Sequence, residues 1–454
     1  MIRSHPIATA VLLLSLLLPS PAPATELDAV PTTLFQALSL RDVRGFLRAR
    51  QRLTQFLHLR GAGRPDGHRV QFVTSLRYDI DFAITNGEDR VDSNLHRDTF
   101  DLMLGFADWS LPSRALSLRL GRQIDWRAQG LFAFDGLTAR VELPFHLALT
   151  ASAGLRVRDR DWYGTPAMGE ELAQEPALAP TYGASVALHD LARASAELGW
   201  RRTFDGAVIE ERVMAAAWGR PVPGLDLTGL LDVDALQGLV GAARAEARYG
   251  ILEGLDASLA YDLSRPRFAA DSIFTVFDLR DRHAGQLWLV VRPAPGWQAQ
   301  GGYEYRRYSG GQDWIHEDGG EPRRGPAEAH LARAAGQVRR GRLWARLALE
   351  AEWGIDGALG LADLSARVLV IEDLLTLGGR AAARLYGGLT TAALAEGGAG
   401  QAFGFEHAAF TAVVEARLEL GRFGHFETAI ETSVDEFHEY SIRGVGLLTL
   451  EFEL

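Results

Sequence analysis

The segment HFETAIETSVDEFHEYS, residues 425–441, gathers His425, Asp435, Glu436, His438 and Glu439. Imidazole beside carboxylate is the pairing used for acid–base catalysis or for holding a divalent metal. The position argues for less. Asp435, Glu436 and His438 fall where an external connection is expected, and loop histidines beside acids are ordinarily solvated. No Gly-x-Ser-x-Gly elbow, His-Glu-x-x-His pair or phosphate-binding glycine loop occurs in the chain. Cysteine is absent, which excludes disulfides and thiolate zinc sites. The sequence therefore points away from an enzyme and implies no metal and no cofactor.

The other chemistry-bearing residues are fixed charges. All 47 basic residues are arginine, whose planar guanidinium grips carboxylates and phosphates through paired donors. Arg48, Arg50 and Arg52 alternate with no acid between them. Elsewhere the signs mix: Arg77, Asp79 and Asp81 in one run, then Arg119, Arg156, Arg158, Arg306, Arg346, Glu350, Glu415 and Arg417. Such charges either pair across neighbouring strands in a wet interior or select solutes by ladders of charge. Both readings stay open on the sequence alone. The formal net charge of −11 argues against a nucleic-acid partner.

The elements that carry these charges are legible from their period. In VQFVTSLRYDIDFAI (70–84), Phe72, Tyr78 and Phe82 share one phase, and Arg77, Asp79 and Asp81 share the other. A period of two makes this a strand with one apolar and one charged face. The same alternation recurs at 116–126, 147–158, 343–353 and 410–420. These runs are as long as tilted membrane strands, about 9–11 residues. Short connections such as PSRA (112–115) and PAPG (293–296) alternate with long polar ones such as 159–180 and 310–326. That asymmetry, together with 48 glycines, predicts an all-β, closed, antiparallel, up-and-down transmembrane barrel.

From Val70 onward the order of connections yields about twenty segments, and 45–60 adds one. A barrel needs an even number, so the sequence reading merges a strand between Asp190 and Gly250 and expects about 18, within 16–20. Met1–Ala24 has a positive start, an apolar core and the small-residue site Ala22-Pro23-Ala24, which reads as a signal peptide cleaved after Ala24. Residues 25–44 are then expected as a short periplasmic segment and 45–454 as the barrel. Trp109, Trp126, Trp200, Trp218, Trp297 and Trp353 lie near strand ends and are read as interfacial girdles. Arg122 breaks the phase of its strand, and would face outward unless a bulge turned it in.

The stretch DLMLGFADWSLPSRALSLRLGRQIDWRAQGLFAFDG, with Gly121-Arg122-Gln123 after a tight turn, resembles the early hairpin of porin-like outer-membrane proteins related to alginate-export channels. GFLRARQRL resembles their first strand. The resemblance implies an integral outer-membrane channel exporting a polysaccharide, in contact with lipid and lipopolysaccharide and with a periplasmic export partner. The alternating C-terminus, Leu448, Leu450, Phe452 and Leu454, resembles the terminal signal by which the barrel-assembly machinery inserts this class. A general diffusion porin and a plugged surface scaffold are the alternatives.

Overall fold

The computed structural model describes residues 26–42, 47–82, 98–125, 132–157, 179–191, 193–205, 207–265, 281–309, 327–354, 357–387, 407–435 and 438–453. All strands belong to one antiparallel sheet. Its first third comprises β1 (Glu26–Asp42), β2 (Leu47–Gly63), β3 (Arg69–Asp81), β4 (Asp98–Ser110), β5 (Leu116–Asp125), β6 (Phe132–Leu143) and β7 (Leu147–Arg156). The middle comprises β8 (Pro180–Leu191), β9 (Ala194–Asp205), β10 (Ala207–Val222), β11 (Leu225–Asp234), β12 (Leu239–Leu252), β13 (Leu255–Ser264), β14 (Asp281–Ala294) and β15 (Trp297–Ser309). The last third comprises β16 (Ala327–Arg340), β17 (Leu343–Gly354), β18 (Gly357–Ile371), β19 (Leu375–Gly387), β20 (His407–Glu419), β21 (Gly424–Val434) and β22 (His438–Leu450), continued by β23 (Phe452–Glu453).

Each strand pairs with its sequence neighbours, and β1 also pairs with β22, Thr32 standing opposite Thr449 and Arg41 opposite Tyr440. The sheet therefore closes on itself and leaves no edge for foreign strands. The period of two sorts the side chains. Leu120, Leu137, Leu198, Leu259, Leu287, Leu347, Val414 and Ile430 are among the large apolar side chains left exposed. All fall in the outward phase, which is the lipid-facing band of a membrane barrel. The connections at one end are tight. Gly296 turns between β14 and β15 at φ 79°, and a Cβ there would lie 2.2 Å from the Arg339 carbonyl oxygen. Only glycine fits that turn.

Two sequence expectations are corrected. The wall has 22 strands and exceeds the expected range of 16–20. The segments between Asp190 and Gly250 are separate strands, with β9 and β10 joined through residue 206 alone. Residues 26–42, expected as part of a periplasmic segment, form β1. That strand hides from a period-two reading because Val30, Leu34 and Leu38 put apolar groups on the inner phase while Phe35 puts one on the outer. Pro31 adds to the disguise. It sits where the seam is interrupted, after the β22 pairing ends at Thr32 and before β23 resumes at Ala29, a place where a strand tolerates a missing N–H. The expected cleavage site after Ala24 lies outside the described residues.

Candidate functional site

The inner face is the candidate site, and it is built from ion pairs between neighbouring strands. On β2–β4, Asp79 takes Arg52 Nη2 at 2.9 Å and Arg77 Nε at 2.9 Å on the same carboxylate oxygen. The Thr54 hydroxyl donates to its other oxygen, and Arg77 Nη2 donates to Asp101 at 2.7 Å. Asp79 is only 5% exposed and Arg77 8%. Charges this buried persist only when paired. On β4 and β5, Arg119 donates twice to Asp108, at 2.7 and 3.0 Å, and its guanidinium lies 4.2 Å from the centre of the Phe106 ring.

A second cluster joins β7, β9, β10 and β11. Glu210 accepts from Arg156 at 3.2 Å and Arg201 at 2.8 Å, and Arg212 lies 3.4 Å away. Arg212 continues to Asp232. The Arg201 guanidinium lies over the Phe132 ring, 3.8 Å from its centre. The wall beneath is made of Ser152, Gly183, Ser185 and Gly199, which with Phe132, Phe134 and Met214 line one depression. Small residues there leave room for the ring and the guanidinium to lie along the wall.

The third stretch runs from β14 to β21. Glu304 lies between Arg282, at 3.1 Å, and Arg306, whose Nη1 also donates to Glu352 at 2.8 Å. Arg333 Nε donates to Glu350 Oε2 at 2.7 Å. Arg367 reaches Glu415 at 2.6 Å across Gly378, which stands between them on β19. Arg417 donates to Glu427 at 2.8 Å.

Thus Arg52, Arg77, Asp79, Arg119, Arg156, Arg306, Glu350, Glu415 and Arg417 stand on the inner phase, each in an ion pair. Arg346 is in that phase as well, opposite Gln337 and Ser365. Arg48 and Arg50 alternate with Arg52 along β2, their backbones opposite Leu40 and Leu38; their side chains and that of Asp81 lie outside the described set, as does Arg158. His425 and His438 do not form a site together. His425 opens β21 at the tight-turn end, 3.9 Å from Glu427, whereas His438 opens β22 at the opposite end. Among the described residues, no group of three or more histidine and acid side chains could hold a metal.

Two aromatic and basic positions depart from, or decide, the sequence reading. Trp218, expected in an interfacial girdle, stands opposite Ser195 and Thr228 in the phase of Glu210 and Arg212, so it faces inward. Trp200, Trp297 and Trp353 do face outward, and His330 stacks on Trp353 at 5.4 Å while its Nδ1 lies 2.6 Å from the Tyr303 hydroxyl. Trp126 is outside the described residues. Arg122 faces outward and is held there. Its Nε and Nη2 donate to the two oxygens of Asp135 at 2.8 Å each, and Nη1 donates to the Leu102 carbonyl at 2.7 Å. A bulge supplies that carbonyl, since Ser75 pairs with Leu104 but Leu76 with Leu102.

The sequence reading missed Glu210, Arg201 and Arg212. Their signal is present in phase, as Glu210, Arg212 and Met214 alternate in IEERVMAA, but the turns between Asp190 and Gly250 are the least clear in the sequence.

A closed antiparallel barrel with an apolar outer band and a charged inner face defines an integral outer-membrane protein. No protein-family model matches the chain, and no curated protein matches it. Among solved structures it is similar to a BenF-like porin from Pseudomonas fluorescens Pf-5, at 9% identity and TM-score 0.47, over 95% of this chain and 99% of that one. It is similar to OccAB4 of Acinetobacter baumannii at 8% identity and TM-score 0.45, over 96% and 100% of the two chains. It is also similar to OccK2 of Pseudomonas aeruginosa in complex with glucuronate, at 12% identity and TM-score 0.44, over 94% and 96%. The alginate-export resemblance read from the sequence gains no support from these likenesses.

Proposed function

We propose that the chain is an outer-membrane channel through which small hydrophilic solutes diffuse, in the manner of a general porin. One observation carries the reading. Every described residue lies in a wall strand or in a connection at a strand end, so among the described residues none forms a plug across the bore. Bore width grows with strand number, and barrels of 16 strands or more are too wide for wall side chains to fill.

The charge pattern supports small solutes over an exported anionic polymer. A polyanion is best served by an uninterrupted cationic track. Here Arg52, Arg77, Arg156, Arg201, Arg212, Arg306 and Arg333 each lie within 3.4 Å of a carboxylate. Of the run read from Arg48 to Arg52, Arg52 is answered by Asp79 from the next strand. Paired charges keep the wall wet and oriented without favouring one sign strongly.

The test is single-channel recording of the refolded barrel in a planar bilayer. Stepwise openings with weak ion selectivity, indifferent to an acidic oligosaccharide, are expected. A barrel with intact strand content that passes no current would overturn the reading. Block by the acidic oligosaccharide would return weight to polysaccharide export.

A further inference from the structure

Two tryptophans stand in the inward phase of the β14–β17 wall, Trp288 within β14 and Trp344 beside the turn that opens β17. Trp288 is in the phase of Gln286 and Arg292, opposite Ser258 on β13 and Gly302 on β15. Its ring lies across Gly302, where a Cβ would fall 2.4 Å from the nearest ring atom. The indole is thus seated on bare backbone in the inward phase, and it is half-buried. In the same row, beyond Gly302, come Arg333 and Glu350, joined at 2.7 Å. Trp344 lies six residues before Glu350 on β17, opposite Arg339 and Arg367, with the Arg367 guanidinium 5.8 Å from its ring centre. It borders a depression at the turn end of the wall, lined by the 293–297 turn together with Gln298 and Gln337, whose amides are joined at 3.3 Å.

The Trp288 ring packs on the Gly302 backbone and is half-buried, so the rest of its surface meets the aqueous bore. Its flat seat on a glycine holds it parallel to the wall, which suits stacking of another flat apolar face. Pyranose rings have such a face, made by their axial C–H groups, and an edge of paired hydroxyls. Planar amides, guanidinium groups and carboxylates bind vicinal hydroxyls through parallel hydrogen bonds. We infer that the β14–β17 wall is a saccharide track for neutral sugars. Trp288 forms one stacking platform with Arg333 and Glu350 at its edge, and Trp344 forms a second with Gln298 and Gln337. From the register, the platforms are separated by about 14 Å across the strands and about 20 Å along them. That span fits a short oligosaccharide rather than one sugar. The inference deepens the channel reading and rests on it.

The test uses maltohexaose, a neutral glucose oligomer, in two measurements. One is interruption of single-channel current in planar bilayers. The other is sugar-dependent change in intrinsic tryptophan fluorescence of the full barrel in detergent. Both should saturate with sugar, and Trp288→Ala should weaken the current effect about tenfold while removing part of the fluorescence response. Gly302→Val, which displaces the ring while keeping it, should weaken both. Open channels indifferent to the sugar, or effects unchanged in Trp288→Ala, would overturn the track. A folded barrel that passes no current would instead overturn the channel reading, and the fluorescence arm would still decide whether the sugar binds at Trp288.

Discussion

Arg122 shows how a single charge is kept on the lipid side of a barrel. Its guanidinium spends its donors on Asp135 and on the Leu102 carbonyl that the β4 bulge releases. Removing one partner leaves the other uncompensated. Asp135→Ala should therefore destabilise the barrel by about 2 kcal/mol, read as a lower urea midpoint in lipid, and Arg122→Leu with Asp135→Leu should recover most of it. On the inner face, Glu210 answers three arginines. Glu210→Gln should shift the reversal potential in a salt gradient toward anion preference, whereas Arg156→Gln should shift it the other way. At this scale the sequence was informative wherever the period held. Spacing alone places Arg77 and Asp79 on one face. That Arg52 meets Asp79 depends on register between strands, which a single strand's pattern does not contain.

Elements differ in how openly they declare themselves. Strands such as β7, β17 and β20 alternate cleanly and are readable with their faces. β1 is not, because apolar side chains on both phases and Pro31 erase its period. Its absence leaves an odd count, and discounting a strand between Asp190 and Gly250 to make the number even leads to the expectation of about 18. Glycine placement within elements was equally silent in sequence. Gly378 lies under the Arg367–Glu415 contact, and a Cβ there would fall 2.3 Å from Glu415 Oε1. Gly378→Val should dislodge Glu415, lowering stability by about 1–3 kcal/mol and altering ion selectivity, with Gly378→Ala showing a smaller effect of the same sign. Deleting residues 26–42 should be far more severe. It removes one of 22 wall strands, exposes the edges of β2 and β22, and should abolish the compact, heat-modifiable band on gels.

At the scale of the whole molecule, closure depends on Thr32 finding Thr449, and on the other pairs between β1 and β22. Those partners come from nearly opposite ends of the chain. The strand synthesised first must wait for the strand synthesised last, so no shorter nascent chain can complete the ring. Until then both terminal strands have vacant backbone partners, the condition in which sheets recruit the wrong neighbour. Long-range pairing of this kind is slow. The time between export and closure, rather than the depth of the folded well, is therefore where this barrel is most vulnerable to misassembly.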